Sequence, residues 1–263
     1  QNTLTVKKFL SGDESIFTTE GEGWSPAGKI TAVEGATGKD DKSFRMLMAI
    51  AGFSNNASIS EKNGSHELAG DPTEGALLVL SHKSGLYEAY YPEIKKIDDL
   101  PFDSATKMRA TLVDWQDKRF LFVTGAPEMI LKISAHRLSG NDVITLDDSQ
   151  TQQIDTHIKD WSADAMRVIA LAFKEVPQTV NEIRQEEIAD LVFTGITGMI
   201  DPPRKDVRQA VESCHRAGIR VIMATGDHAG TALSIAKATG IIPEADTEGM
   251  ALTEAELRDM NEE

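Results

Sequence analysis

The sequence predicts two fold patterns in succession, an α+β pattern over about the first 200 residues and an α/β pattern after them. In the first part, apolar stretches at 109–113 and 119–124 flank a polar turn and indicate a β-hairpin, with helical segments on both sides. From residue 191 the chain alternates strand, helix, strand and helix with short links. That order is typical of parallel βαβ units.

Two helices of the first part are predicted from apolar spacing and capping residues. The segment KSFRMLMAIA at 42–51 places its apolar residues at helical spacing. A second helix is expected over 71–84, with Asp71 as N-cap, Pro72 at its first position and Glu74 in its first turn. The remaining elements expected in this part are strands at 3–6, 15–19 and 167–175, a polar loop at 52–70, a short helix from Gly125 to Ile133 and a helix at 150–166.

The second part begins with a short apolar strand at 191–198. A helix follows from Asp201-Pro202-Pro203 and ends at Gly218. A second strand at 219–224 and a helix at 228–239 complete the predicted α/β pattern.

Composition and charge restrict the classes of function. The chain has 263 residues, 27 Lys and Arg against 42 Asp and Glu, and a net charge of −15. This acidic balance argues against a nucleic-acid partner, because phosphate backbones repel it. The single cysteine, Cys214, rules out an intrachain disulfide, and the six histidines show no metal-ligand spacing.

Two motifs contain residues that could bind a ligand, but each also has a simpler structural explanation. Thr225-Gly226-Asp227 follows a predicted strand and precedes a helix, where a hydroxyl and free N–H groups suit a phosphoryl group. The tripeptide alone favours an ordinary helix cap by Asp227. Phe102 and Lys107 could stack on a planar ligand and meet a phosphate. The residue types alone favour a core phenylalanine and a solvated lysine.

Two further motifs are Gly125-Ala126-Pro127-Glu128, where small residues allow a close backbone approach, and GMIDPPR at 198–204, where two prolines stiffen a joint. Taken singly, a strand-to-helix turn and a rigid helix start account for them.

The order and spacing of these motifs resemble the cytoplasmic ATP-binding part of a P-type cation-transporting ATPase. The resemblance rests on DPTEGALL (71–78), FDSATK (102–107), GAPE (125–128), MRVIALA (166–172), GMIDPPRKDV (198–207) and MATGD (223–227). The forms DPTEGAL and DPPR are most similar to the type II branch, which contains the calcium pumps.

The resemblance implies a fold and a domain organisation. Residues 5–200 would form an α+β nucleotide-binding domain with a twisted antiparallel sheet and flanking helices. Residues 1–4 and 201–263 would form part of an α/β phosphorylation domain like that of the haloacid dehalogenases. The chain would be a cytoplasmic part of an integral membrane protein whose phosphorylation, actuator and transmembrane domains lie largely elsewhere in the same protein.

The resemblance also implies roles for individual residues. Phe102 would stack on adenine, Glu74 would lie near the adenine amino group, and Lys107 would sit at the bottom of the pocket. The other implied roles are pocket lining by Gly125, phosphate contact by Arg167, a hinge pair of Asp201 and Arg204, and phosphoryl orientation by Thr225 with Asp227 beside it. ATP and Mg²⁺ would bind to this part of the protein. We expect most of the residues that coordinate Mg²⁺, and the phosphorylated aspartate, to lie outside this chain. The chain alone would then be inactive.

One position departs from the family pattern. The family usually has Lys before Gly-Ala-Pro-Glu, whereas this chain has Thr124. Arg109 is expected to compensate in part, on the assumption that residues 107 and 109 point to the same face of one strand.

Two rival functions follow from the same residues. A free-standing dehalogenase-type phosphatase needs a nucleophilic Asp-x-Asp motif after a strand, and the sequence has none. A non-catalytic nucleotide-binding or interaction module remains open, because ATP binding without hydrolysis would use the same pocket.

Overall fold

The computed structural model describes residues 3–33, 41–62, 64–90, 92–201, 205–225, 229–243 and 252. The chain divides into two compact units, the first formed by residues 1–158 and 167–201 and the second by 159–166 and 202–263. Among the described residues, no helix combines the length and the apolar character that a membrane span requires.

The first unit is built on a large, mostly antiparallel sheet. Its strands in the chain are β1 (Thr5–Ser11), β2 (Ile16–Thr19), β3 (Ile30–Ala32), β6 (Lys95–Asp103), β7 (Met108–Trp115), β8 (Lys118–Gly125), β9 (Ser134–Ser139), β10 (Asp142–Thr145), β11 (Arg167–Val176) and β12 (Leu191–Ile200). A separate two-stranded sheet contains β4 (Ser58–Lys62) and β5 (Ser65–Ala69). The main path runs β3-β2-β1-β12-β11-β8-β7-β6, and β9 adds to β12 in parallel and to β10 in antiparallel pairing.

The helices are α1 (Lys42–Phe53), α2 (Pro72–Lys83), α3 (Leu86–Tyr90), α4 (Pro127–Lys132), α5 (Asp148–Ala163), α6 (Lys205–Arg216) and α7 (Ala229–Thr239). The antiparallel sheet with flanking helices confirms the predicted α+β pattern of the first part.

Helices α1 and α2 contribute to the hydrophobic core of the first unit. Asp41 caps α1 by accepting a hydrogen bond from the Phe44 amide at 2.9 Å, and most of the helix behind it is buried. Phe44 packs edge-on to Phe17, which stacks on Phe9 of β1 at 4.8 Å between ring centroids. This core supports the sheet from which the candidate site is built.

The structure differs from the sequence prediction at 52–70. The predicted polar loop contains the β4–β5 hairpin, in which Ser58 pairs with Ala69. None of the residues of these two strands is buried, and Ile59, Leu68 and Ala69 are their only apolar residues, so the sequence lacks the apolar alternation that normally signals a strand.

The predicted parallel βαβ pattern after residue 191 is also wrong in two respects. Strand β12 is antiparallel to both β1 and β11 and belongs to the large sheet of the first unit. Residues 219–224 form no strand, and Ile219 and Ile222 are 56% and 78% exposed. A strand needs a hydrogen-bonding partner, and the described part of the second unit supplies none for this segment.

Candidate functional site

The strand register brings the ends of four neighbouring strands into one row. Asp103 of β6 is opposite Met108 of β7, Met108 is opposite Gly125 of β8, and Gly125 is opposite Ala170 of β11. Because these strands are antiparallel, the end of β6, the start of β7, the end of β8 and the start of β11 lie at the same end of the sheet. The loops and helix starts at this end therefore share one surface.

Most of the residues predicted for the first unit lie at or near this end. Phe102 is the last residue but one of strand β6, Lys107 lies between β6 and β7, and Gly125 is the last residue of β8. Arg167 begins β11, and Arg109 is the second residue of β7. The sheet thus brings together residues that are up to 65 positions apart in sequence.

Phe102 occupies an irregular stretch of an edge strand. Between the pairs Leu100–Ala110 and Asp103–Met108, β6 has three steps where β7 has two, which is the pattern of a β-bulge. Pro101 within it lacks an N–H, which suits an edge position. The Phe102 side chain is 59% exposed, so the reading of Phe102 as a core residue is wrong. An exposed aromatic ring on a bulged edge offers a face for stacking.

Lys107 lies in the tight connection between β6 and β7, with a left-handed φ of 53°. Its amide donates to the Asp103 carbonyl at 2.7 Å, and its own carbonyl accepts from the Ala126 amide at 2.9 Å. These bonds fix the backbone while the side chain stays 56% exposed, with its Nζ atom 3.1 Å from Glu128 Oε1. Such an exposed ion pair is weak, and its ammonium can exchange partners with an incoming anion.

The geometry overturns one premise of the sequence reading. Lys107 is outside the strand, so it does not share a strand face with Arg109. The register instead places Arg109 directly across from Thr124 on β8. The idea that Arg109 offsets the threonine at 124 therefore loses its basis in a face shared with Lys107, and it stays a prediction.

Position 125 is occupied by glycine because strands β7 and β8 pack closely there. A Cβ atom at this position would lie 2.5 Å from the Lys107 carbonyl oxygen and 2.8 Å from the Met108 Cα, both backbone atoms. The close packing of β7 and β8 therefore explains the glycine, and any contact with a ligand would be additional.

Helix α2 brings Glu74 to the site. The Asp71 carboxylate caps the helix by accepting from the amides of Thr73 and Glu74 at 2.7 and 3.2 Å, as the sequence predicts. Glu74 Oε2 accepts from the Asn56 amide at 2.7 Å, and Glu74 Oε1 accepts from Arg109 Nη1. The Glu74 carboxylate is thus held on two sides.

Arg109 is the buried centre of a polar network in which Glu74 and Asp99 are partly buried and Asn56 is exposed. The Arg109 side chain is 3% exposed. Its Nη2 atom donates to Asp99 Oδ1 at 2.6 Å, and its Nη1 atom donates to Glu74 Oε1. Asp99 also accepts from Thr111 Oγ1 at 2.8 Å and from Asn56 Nδ2 at 2.7 Å. The Arg109 charge is therefore neutralised inside the protein and is not exposed to a ligand in the way that Lys107 is.

Asp99 is held in its ionised form by these contacts. Burial alone raises the pKa of a carboxyl group, but the hydrogen bonds from Thr111 and Asn56 and the charge of Arg109 outweigh burial and lower the pKa of Asp99 below its ordinary value. Lys96, with Nζ 3.5 Å from Asp99 Oδ1, adds a second cation. Two carboxylates are thus matched by two cations.

Arg167 lies beside the start of α2. Its Nη1 donates to Thr73 Oγ1 at 3.0 Å, and the residue is exposed. The guanidinium therefore adds a solvent-accessible positive charge at the start of α2, where the amides of Thr73 and Glu74 are already bonded to the Asp71 carboxylate.

The remaining predicted residues are less constrained by the structure. Asp201 follows the end of β12 and is exposed, and Thr225 is exposed within the second unit. Arg204 and Asp227 lie outside the described residues. Within the described ranges, no three His, Cys, Asp or Glu side chains are grouped so as to hold a metal ion.

Sequence reasoning missed the partners of Arg109 and Glu74. Asp99, Asn56 and Thr111 lie on three separate segments, and β6, which carries Asp99, was not predicted as a strand. The available signal was the acidic pair Asp98–Asp99 within a stretch next to a hairpin that contains an arginine. Charged residues at a strand position often indicate a buried pairing, but the partner cannot be read locally.

Comparison with known proteins identifies the family. Residues 43–206 match the family model described as P-type ATPase, cytoplasmic domain N. The chain is 32% identical over 248 residues to a calcium-transporting ATPase of Bacillus subtilis, covering 93% of this chain and 28% of the relative. It is also 32% identical over 269 residues to the cation-transporting ATPase pma1 of Synechocystis, covering 99% of this chain and 29% of the relative.

A plant protein gives the same result. The endoplasmic reticulum-type calcium-transporting ATPase 4 of Arabidopsis thaliana is 30% identical over 311 residues, covering 100% of this chain and 28% of the relative. The chain therefore belongs to the P-type ATPase family and contains its cytoplasmic domain N. It spans somewhat more than a quarter of the length of these relatives.

Proposed function

We propose that this chain is the ATP-binding cytoplasmic part of a cation-transporting P-type ATPase, and that ATP binds at the shared end of β6, β7, β8 and β11. The observation that carries the proposal is the exposed ring of Phe102 on a bulged edge strand, close in sequence and register to Lys107. An exposed aromatic ring and an exposed cation at the same end of the sheet suit a ligand with a planar base and an anionic group.

The order of the strands suggests how ATP lies. The adenine would stack on Phe102 at the β6 edge, near the Glu74 carboxylate, and the phosphates would extend toward Arg167 at β11. Three strand spacings separate β6 from β11, about 14 Å at the usual spacing. The Arg167 side chain extends from β11 to Thr73, the residue before Glu74, so its cation would lie closer to the base than the strand spacing alone indicates.

Local cations are essential to this arrangement because the whole chain repels anions. The net charge is −15, so the long-range field opposes ATP. Lys107 and Arg167 both offer accessible positive charge, whereas the charge of Arg109 is taken up by Glu74 and Asp99. We therefore assign phosphate attraction to Lys107 and Arg167, and an indirect role to Arg109.

In the parent protein, we propose that bound ATP donates its γ-phosphoryl group to an aspartate outside this chain. The covalent aspartyl phosphate would divide hydrolysis into two steps, and a hinge near Asp201 and Arg204 would close the domains. Thr225, with Asp227 beside it, would orient the phosphoryl oxygens. Mg²⁺ would offset phosphate charge, and most of its ligands would come from outside this chain.

Calcium is the proposed transported ion. Two of the three relatives described above are named calcium-transporting ATPases. Ion selectivity would be determined in transmembrane domains of the parent protein, so this part of the proposal is tested there.

Isothermal calorimetry with the chain and ATP, ADP and GTP tests the proposed site. We expect saturable binding that prefers adenine nucleotides and is weakened about fivefold or more in Phe102→Ala, since stacking of a base on an aromatic ring is worth roughly 1–3 kcal/mol. Lys107→Ala should weaken ATP binding too. Lys118→Ala is the matched control, because Lys118 is also 56% exposed and ion-paired but lies at the other end of the β7–β8 hairpin.

The outcomes separate the site from the rest of the chain. Equal ATP affinity in wild type and Phe102→Ala would show that the base does not stack there. An equal loss in Lys107→Ala and Lys118→Ala would reveal only a general charge effect. For the parent protein, an acid-stable phosphoenzyme formed from γ-labelled ATP would support the pump, and its absence in an ATP-binding protein would favour the non-catalytic nucleotide-binding module.

A further inference from the structure

The carboxylate of Glu74 is held by a buried residue that would not touch the nucleotide. Arg109 divides its two terminal nitrogens between two acids: Nη1 donates to Glu74 Oε1, and Nη2 donates to Asp99 Oδ1 at 2.6 Å. Glu74 and Asp99 are only 18% and 17% exposed, so both contacts lie in a shielded environment where charge pairing is strong. The position of Arg109 therefore depends on both acids.

Asp99 is itself fixed more firmly than Glu74. It accepts from Thr111 Oγ1 at 2.8 Å and from Asn56 Nδ2 at 2.7 Å, in addition to its pairing with Arg109. Asn56 connects the two acids, since its backbone amide donates to Glu74 Oε2 at 2.7 Å. Asp99 thus anchors the far side of the network, and the lowered pKa of its carboxyl group keeps it charged at neutral pH.

The sharing of Arg109 controls which lone pairs of Glu74 are available. A carboxylate offers about four acceptor positions, and the Arg109 and Asn56 contacts use one on each oxygen. If Asp99 carried no charge, the guanidinium fork could turn both of its terminal nitrogens toward Glu74, since bidentate pairing with a carboxylate is its preferred geometry. Glu74 would then have less capacity to accept a hydrogen bond from a ligand.

We propose that Asp99 is a positioning residue that, through Arg109, keeps Glu74 oriented and available to accept a hydrogen bond from the amino group of the nucleotide base. The proposal rests on the proposed function above, and it adds a determinant of base preference. A 6-amino purine donates to the Glu74 carboxylate, whereas a 6-oxo purine presents an acceptor that the carboxylate repels. The preference for ATP over GTP therefore depends on Asp99, although Asp99 would contact neither nucleotide.

Asp99→Asn tests this role, with Asp98→Asn as its matched control. Asp98 is the adjacent residue on β6, and its Oδ2 accepts from the Ile183 amide at 2.8 Å, away from the Arg109 network. By calorimetry we expect Asp99→Asn to lower the ATP-over-GTP affinity ratio about tenfold, as for the loss of one hydrogen bond to a charged group, mostly by weakening ATP. Asp98→Asn should keep the wild-type ratio.

A double-mutant cycle with Glu74→Gln separates positioning from a merely structural effect. If Asp99 acts through Glu74, then Asp99→Asn should change the ATP-over-GTP ratio little once Glu74 is glutamine. Thr111→Val, which removes one hydrogen bond to Asp99 and keeps its charge, should lower the ratio in the same direction by a smaller factor. Thermal unfolding of each variant identifies any that fail to fold, and Thr111→Val then carries the test.

The results distinguish this inference from the proposed function. A wild-type chain that binds ATP with adenine preference, together with an unchanged ratio in Asp99→Asn, would overturn the inference and leave the ATP site standing. Additive effects of the Asp99 and Glu74 substitutions would overturn it as well. A wild-type chain that fails to bind ATP would overturn both.

Discussion

Replacement of Arg109 by alanine is expected to destabilise the first unit strongly. Removal of one partner from a buried ion pair typically costs about 3–5 kcal/mol, because the remaining charge stays buried without its counterion. Here two carboxylates would remain, with side chains 18% and 17% exposed. They keep hydrogen bonds from Asn56 and Thr111 and a lysine ammonium 3.5 Å from Asp99, so we expect the lower end, about 3 kcal/mol.

The expected loss is large enough to measure by urea unfolding. Domains of this size are usually stable by about 5–15 kcal/mol, so about 3 kcal/mol is a substantial fraction. Tryptophan fluorescence is a suitable probe because Trp115 is buried in the core of the same unit. Far-UV circular dichroism over the same urea range checks whether the two probes report one transition.

The matched control is Lys118→Ala, which removes an exposed cation from its ion pair with Glu175. That pair has side chains 56% and 53% exposed, and such pairs contribute about 0–1 kcal/mol. A loss below about 1 kcal/mol in Arg109→Ala, similar to the control, would refute the view that Glu74 and Asp99 both depend on Arg109 as their shielded counterion.

Three further predictions concern separate features of the first unit. Gly125→Ala should destabilise it by about 1–3 kcal/mol in urea unfolding, because the new Cβ would lie 2.5 Å from a backbone carbonyl; wild-type stability would contradict this packing. Asp71→Ala should lower the free energy of unfolding by about 1 kcal/mol through loss of the α2 cap. Asp71→Asn should retain most of that stability, because asparagine also caps helices, and equal losses in the two variants would argue against capping. The pKa of Asp99 is lowered in the folded state, so its charge stabilises the fold above the ordinary carboxyl value of 3.8 and this contribution is lost as the pH falls through the lowered pKa. Stability measured against pH should therefore fall less steeply in acid for Asp99→Asn than for wild type, and parallel curves would contradict the assignment.

Local signals in the sequence were sufficient for most helices and for the central hairpin. The N-cap of α2, the start of α4 and the strands around the 116–117 turn depend on neighbouring residues, so they could be predicted locally. The direction of β12 could not, because it is set by pairing with β1 and β11, which lie far away in sequence.

Strand β6 shows why part of the site was missed. Its acidic pair Asp98–Asp99 and Pro101 interrupt the apolar alternation, and it lies at the edge of the sheet, where polar residues and proline are tolerated. Phe102, at the end of this strand, is a candidate for base stacking because its motif resembles that of a known family, whereas the residue types alone favour a core phenylalanine. Its exposure on a bulge comes from the structure.

The network around Arg109 was beyond local reasoning for a related reason. It joins the start of α2, the β6 edge and the β7 strand, which only the folded sheet brings together. The sequence suggested that Arg109 faces the ligand as a replacement cation. In the structure its charge is used to hold two acids, one of which is the predicted base-contacting residue.

The most direct test of the account is a nuclear magnetic resonance titration of the isotope-labelled chain with ATP. We expect saturable shift changes that cluster at one end of the sheet, in the Phe102 ring and the amides of Lys107, Gly125 and Arg167, with smaller changes along the opposite ends of the same strands near Lys118. Changes spread without regard to strand ends, or concentrated near Lys118, would contradict the proposed ATP site.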